Sequence, residues 1–205
     1  MIENLPTVRL AIFASGHGSN AREIIRYFRK DVTVAGRQTE IALIVCNKPG
    51  AGVLEIAAEA GIPVCLIEKE KFFRGSHYLE EFSSLGITFI VLAGFLWKIP
   101  TELIHAFTDR ILNIHPALLP DFGGKGMYGK AVHEAVIAAG ERESGITIHY
   151  VDERYDHGRI FFQTSVTLSP DENANSLAEK IHVLEHRHFP EQIARWLQCK
   201  LSLNP

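Results

Sequence analysis

The chain has 205 residues, 46% of them hydrophobic and 22% charged, which suits one globular domain with an ample core and argues against disorder. A formal net charge of -3 gives no overall attraction to nucleic acid or membrane, so the expected partner is a small molecule. The three cysteines, Cys46, Cys65 and Cys199, form neither a CxxC pair nor a disulfide framework. Residues 1–6 lack the basic and apolar regions of a leader, and no apolar run reaches the roughly 18 residues of a membrane span; a reducing cytoplasm is expected.

In chain order, residues 8–14 are an apolar, β-rich run that reads as a buried strand. The glycine-rich loop Ser15-Gly16-His17-Gly18-Ser19-Asn20 follows. Ala21, Ile24, Ile25 and Phe28 then recur at helical spacing, with Asn20 and Glu23 placed as a capping box. The alternation continues through a strand at 41–46, a helix at 53–60, a strand at 63–67, a helix at 72–85 and a strand at 87–93. A short helix at 102–107 leads to a strand at 110–114. This pattern predicts an α/β fold with a doubly wound, mostly parallel central sheet. Beyond a glycine-rich loop at 121–129 come a helix at 130–139 and two β-rich runs, 145–151 and 160–168, expected to pair antiparallel. A long terminal helix, 176–196, closes the chain, with Pro190 expected to kink or split it. No internal repeat, low-complexity tract or linker divides the sequence.

The most informative run is Leu112-Asn113-Ile114-His115-Pro116-Ala117-Leu118-Leu119-Pro120. Residues two apart on an extended segment project to the same side, so Asn113 and His115 can address one reacting atom as an oxyanion clamp. A core histidine and a turn-forming asparagine would read alike. The polar loop Asp152-Glu153-Arg154-Tyr155-Asp156-His157-Gly158 adds an acid able to orient the imidazole.

The first loop lies between a buried strand and a helix N-terminus, where free backbone N–H groups and the helix dipole favour an anion. Gly16, Gly18 and Ala21 meet a loose GxGxx(G/A) spacing, but the second strand ends on Cys46-Asn47-Lys48 with no acid for a ribose. A mononucleotide phosphate therefore fits better than a dinucleotide. Gly123-Gly124-Lys125-Gly126 lacks the GK[ST] ending of a Walker loop and reads as a mobile loop near the site. His182-Val183-Leu184-Glu185-His186 matches the H-x-x-E-H of inverted zinc peptidases. In a chain with ten histidines and no distant third ligand, a polar helix face is the favoured reading, and no metal site is expected.

Several of these segments together resemble the glycinamide ribonucleotide formyltransferases, the folate-dependent enzymes of purine synthesis. The resemblance rests on residues 15–20, Val91-Leu92-Ala93-Gly94-Phe95, residues 112–120, Gly145-Ile146-Thr147-Ile148-His149, Asp156-His157-Gly158 and Glu185-His186, in family order along nearly the whole chain. It implies a single Rossmann-like formyltransferase domain over residues 1–205, with a phosphate-binding half of about 1–100 and a catalytic, folate-binding half of about 101–205. The implied reaction moves the formyl group of 10-formyltetrahydrofolate, a co-substrate, to the amine of glycinamide ribonucleotide without a metal.

By the same resemblance His115 is the general acid, Asn113 the donor to the formyl oxygen, and Asp156 the carboxylate that holds and charges His115. Gly18, Ser19 and Asn20 take the phosphate, while Glu185, with His182, grips the ribonucleotide's glycinamide end. Arg74, Leu96, Trp97, Lys98, Ile99, Asn113, Asp152, Glu153 and Asp156 meet the folate. The loop at 121–129 is longer than the common family loop and lacks its Pro-Gly turn. Trp97 stands where many members carry a basic residue, leaving Lys98 or Arg74 for the folate's glutamate tail.

A monomer or homodimer in the cytoplasm is implied, with no nucleic-acid or membrane partner. The alternatives are a 10-formyltetrahydrofolate hydrolase and a non-catalytic folate- or nucleotide-binding module. Methionyl-tRNA formyltransferase carries an extra C-terminal domain and the hydrolase an extra N-terminal one, for which 205 residues leave no room.

Overall fold

Strand β1 (Val8–Ala14) sends Leu10, Ile12 and Ala14 to one core cluster and Ala11 and Phe13 to another, so its period of two feeds apolar packing on both faces. The computed structural model describes residues 5–30, 32–74 and 77–203. Positions 1–4 of the N-terminal segment, 31, positions 75 and 76 within the helix expected at 72–85, and 204–205 lie outside the described residues.

After β1 come α1 (Ser19–Phe28), β2 (Thr33–Val34), β3 (Arg37–Cys46), α2 (Val53–Ala60), β4 (Val64–Leu66), α3 (Lys69–Phe73), α4 (His77–Ser84) and β5 (Phe89–Leu92). The second half runs α5 (Thr101–Ala106), β6 (Ile111–His115), α6 (Lys130–Ala138), β7 (Glu143–Tyr150), β8 (Ile160–Thr167) and α7 (Ala174–Leu203). The sheet order is β2-β3-β1-β5-β6-β7-β8, with β4 also paired to β3. β4, β3, β1, β5 and β6 are parallel, whereas β7 and β8 extend the sheet antiparallel from β6. The chain leaves β1 on one side through β3 and β4, then returns to its other side at β5. The carboxyl ends of β1 and β5 thus flank the crevice where a doubly wound sheet binds ligands.

The doubly wound, mostly parallel sheet and the antiparallel strand pair expected from the sequence are present, with three local differences. A two-residue turn, Ala35-Gly36, with φ of 53° and 74°, folds β2 back on an early extension of β3 and lengthens the strand expected at 41–46. The helix expected at 72–85 is two helices, α3 and α4, because Arg74 leaves helical geometry at φ -106° and ψ 33°.

The terminal helix is not split: α7 continues through Pro190 from Ala174 to Leu203. Proline forfeits one backbone bond there, while Phe189, Ile193, Trp196 and Leu197 bury their side chains in one core cluster and hold both halves in line. Among the described residues no helix is long and apolar enough to cross a membrane.

Trp196 anchors this packing, its ring edge-on to Phe89 at 5.1 Å and to Tyr150 at 6.4 Å. Trp196→Ala is expected to lower the unfolding free energy by about 3–5 kcal/mol, as urea titration followed by circular dichroism would register. A loss below about 1 kcal/mol would show that α7 is held elsewhere.

Candidate active site

The loop after β1 turns into α1 through Gly18, whose φ of 79° is left-handed and whose missing Cβ would meet Val53 at 2.8 Å. Only glycine allows both the turn and that approach. No side chain caps α1 and no acid occupies its first turn, so its leading amides stay available to an anion. The expected capping role of Asn20 is absent. Its Nδ2 instead donates to Glu185 Oε2 at 2.9 Å, a bond between residues 165 apart in sequence.

β6 carries Asn113 and His115 on the face opposite Leu112 and Ile114, and β7 pairs with it so that Asn113 lies opposite His149 and His115 opposite Thr147. His149 Nδ1 donates to the Tyr150 carbonyl at 2.7 Å, leaving Nε2 to accept from Asn113 Nδ2 at 3.0 Å. One amide hydrogen of Asn113 is thereby held, and its second has no partner among the described residues. Thr147 donates to the Ala117 carbonyl at 2.6 Å and accepts from Leu119 N and Gln163 Nε2, both at 2.9 Å, which pins the chain leaving His115.

Asp156 sits between two imidazoles, with Oδ2 3.7 Å from His115 Nδ1 and Oδ1 3.6 Å from His149 Nε2. These separations are too long for direct hydrogen bonds and leave the carboxylate within Coulombic reach of either ring when that ring takes up a proton. The glycine-rich loop closes the arrangement: His115 Nε2 donates to the Phe122 carbonyl at 2.8 Å, and Gly124 N donates to Asp156 Oδ2 at 2.9 Å. Phe122 and Asp156 both adopt positive φ, 55° and 56°, so both backbone segments that feed the site hold uncommon geometry.

Burial lowers the His115 pKa, outweighing the neighbouring Asp156 carboxylate and the Phe122 carbonyl, which raise it. Asp156 thus pulls His115 towards its charged form, while desolvation pulls more strongly towards the neutral ring. Burial pushes the Asp156 carboxyl up, but His149, His115 and the Gly124 amide together hold it below its usual value. Burial raises Glu185 against the pull of Asn20 and His182, favouring its protonated form.

A cavity of about 730 Å³ joins these parts, within the roughly 300–1,000 Å³ usual for small-molecule sites. It brings together Gly18, Ser19, Asn20, Leu96, Asn113, His115, Asp156, His182 and Glu185. Other residues expected at the folate lie off its wall. Arg74 is exposed and 3.8 Å from Glu70, Lys98 is exposed, Asp152 accepts from the Arg154 amide, and Glu153 faces His105 at 3.1 Å. Trp97 is half-buried against Phe72 and Phe73, and Ile99 is buried in the core cluster beneath α5.

Sequence reasoning gave no role to His149, Thr147 or His133, nor to the Phe122 carbonyl and Gly124 amide. The signal for the first two was present, since Thr147 and His149 alternate with Ile146 and Ile148 along the strand. Within H-x-x-E-H, Glu185 turns to Asn20 while the His182 and His186 rings stack on each other at 6.1 Å. Among the described residues no group of three His, Cys, Asp or Glu converges to hold a metal ion.

Residues 8–193 match the family described as Formyl transferase. The chain is 43% identical over 190 residues to the chloroplastic phosphoribosylglycinamide formyltransferase of Arabidopsis thaliana, covering 90% of this chain and 64% of that protein. It is 33% identical over 193 residues to the phosphoribosylglycinamide formyltransferase of Bacillus subtilis (strain 168), covering 92% of this chain and 94% of that protein. It thus spans less than two thirds of the plant relative and nearly all of the bacterial one. Its structure is similar to glycinamide ribonucleotide transformylase 1 from Geobacillus kaustophilus, with a TM-score of 0.82 and 35% identity, covering 93% of this chain and 99% of that one.

Burial holds His115, His133 and His186 below the ordinary histidine value of 6.5. Between that value and their lowered ones the unfolded chain binds protons that the fold refuses, so these groups cost stability as pH falls. Glu185 acts oppositely, contributing stability at low pH that fades as pH climbs through its raised value. The thermal midpoint is expected to fall between about pH 7 and pH 5.5, less steeply in His115→Asn. A midpoint that rises on acidification, measured by differential scanning calorimetry, would contradict this assignment.

Proposed function

The chain belongs to the formyl transferase family, with the phosphoribosylglycinamide formyltransferases among its relatives, and on that premise we propose that it moves a formyl group from 10-formyltetrahydrofolate to the amine of glycinamide ribonucleotide. The observation that carries the reading is the convergence of Asn113, His115 and Asp156 on one wall of a cavity that also opens onto the amides of α1. Phe95, Leu96, Met127, Tyr128 and Tyr155 give that cavity an apolar, aromatic side suited to a flat heterocycle.

Addition of the amine to the formyl carbon places negative charge on the formyl oxygen. In this reading Asn113 meets that oxygen with its free amide hydrogen, and His115 turns its Nε2 hydrogen from the Phe122 carbonyl to the same oxygen. Asp156 stabilises positive charge on His115 as it develops, offsetting the burial that keeps the resting ring neutral. The attacking nitrogen must shed a proton and the departing folate nitrogen must gain one, which His115 and Asp156 can relay directly or through water. Holding two substrates side by side supplies much of the acceleration.

Gly18, Ser19 and Asn20 would bind the phosphate through backbone amides at the positive end of α1. Glu185, held by Asn20, would grip the glycinamide end of the ribonucleotide beside His182. The proposal takes the chain as one domain, its phosphate-binding half ending near residue 100, acting on small molecules as a monomer or homodimer. Free thiols at Cys46, Cys65 and Cys199 suit a reducing cytoplasm.

Asn113→Ala, His115→Ala and Asp156→Asn are each expected to lower kcat by about 10²–10³ in an assay of formyl-donor absorbance, with the thermal midpoint little changed. Asparagine tolerates the positive φ at position 156, which makes Asp156→Asn a test of charge rather than of backbone. Near-normal turnover in any of the three would overturn its role, and donor breakdown independent of the ribonucleotide would point to a hydrolase.

A further inference from the structure

The cavity wall holds a side chain that formyl transfer, as set out above, leaves idle. His133, in the first turns of α6, is 3% exposed and borders the cavity. Its Nδ1 is sealed from solvent and has no hydrogen-bond partner among the described residues. A buried polar group left unpaired is costly, and a donor with neither acceptor nor water is the worse case. The proton of the neutral ring therefore belongs on Nε2, the nitrogen left to meet the cavity.

Burial, and then the proximity of His182 and His115, push the His133 pKa down, so the ring stays neutral at physiological pH. It is a fixed, uncharged donor that does not compete with His115 for the catalytic proton. Its position selects between the two substrates. α6 and α1 both pack against α7 on one face of the sheet, the face that supplies the phosphate cradle and Glu185, whereas Phe95 packs against the opposite core cluster.

We propose that His133 binds the acceptor substrate, donating from Nε2 to an uncharged oxygen of glycinamide ribonucleotide, on its ribose or amide carbonyl, between the reacting amine and the phosphate. This assignment rests on the transferase reading for the identity of that substrate. His133 is thus a determinant of acceptor affinity and not a participant in the proton relay.

The test compares His133→Ala, His133→Gln and His133→Asn in steady-state kinetics and in calorimetric titration with glycinamide ribonucleotide alone. His133→Ala is expected to raise the KM and Kd for the ribonucleotide by about tenfold, with kcat and the KM of the formyl donor within about twofold of the parent. Glutamine places an amide nitrogen near the position of imidazole Nε2 and should recover most of the affinity. Asparagine reaches only as far as Nδ1 and should not.

Unchanged ribonucleotide affinity in folded His133→Ala, a rise confined to the formyl donor, or equal behaviour of the Gln and Asn variants would overturn the proposal. If His133→Ala does not fold, the Gln and Asn variants decide the matter alone. The titration separates the two readings: a parent protein that binds the ribonucleotide without transferring formyl defeats the transferase and leaves His133 to be judged by Kd. A parent that does not bind it defeats His133 as well.

Discussion

Across the β6–β7 ladder Asn113 lies opposite His149 and His115 opposite Thr147, and a slip of one residue would turn the Thr147 and His149 side chains into the face filled by Ile114, Ile146 and Ile148. Everything chemical about the site depends on that register. It aims the Asn113 amide through His149, whose tautomer is set by the Tyr150 carbonyl, and it lets Thr147 fix the segment that leaves His115. The antiparallel edge, attached to an otherwise parallel sheet, is therefore part of the site's construction.

Burial and charge oppose each other here. A desolvated His115 prefers to be neutral, and an anionic Asp156 nearby makes the charged ring less costly without reversing the preference. The backbone of the glycine-rich loop adjusts both groups at once, Phe122 accepting from His115 and Gly124 donating to Asp156. Two non-glycine residues at positive φ, Phe122 and Asp156, mark where backbone geometry is bent to make those contacts.

The topological switch around β1 explains why binding and chemistry share one cavity. The crevice between β1 and β5 receives the α1 amides from one side and the aromatic stretch after β5 from the other, while β6 brings Asn113 and His115 to its rim. α6 and α7 close the same space with His133, His182 and Glu185. A polar side with the α1 amides and an apolar, aromatic side thus meet at Asn113 and His115.

Local pattern was enough to read the alternation of strands and helices, the glycine-rich turn into α1 and the shared direction of Asn113 and His115, because periods of 2 and 3.6 are written in neighbouring residues. It was not enough for the break at Arg74 or the early hairpin through Ala35, nor for the passage of α7 through Pro190, where packing against distant residues overrides local preference. Sequence placed Asn20 at the end of a helix and Glu185 on another; only the fold, closing 165 residues of chain, made them hydrogen-bond partners. It likewise proposed an acid near His115, but the balance that leaves the ring neutral is set by burial. Burial is a property of the surrounding atoms in space, and no stretch of sequence carries it.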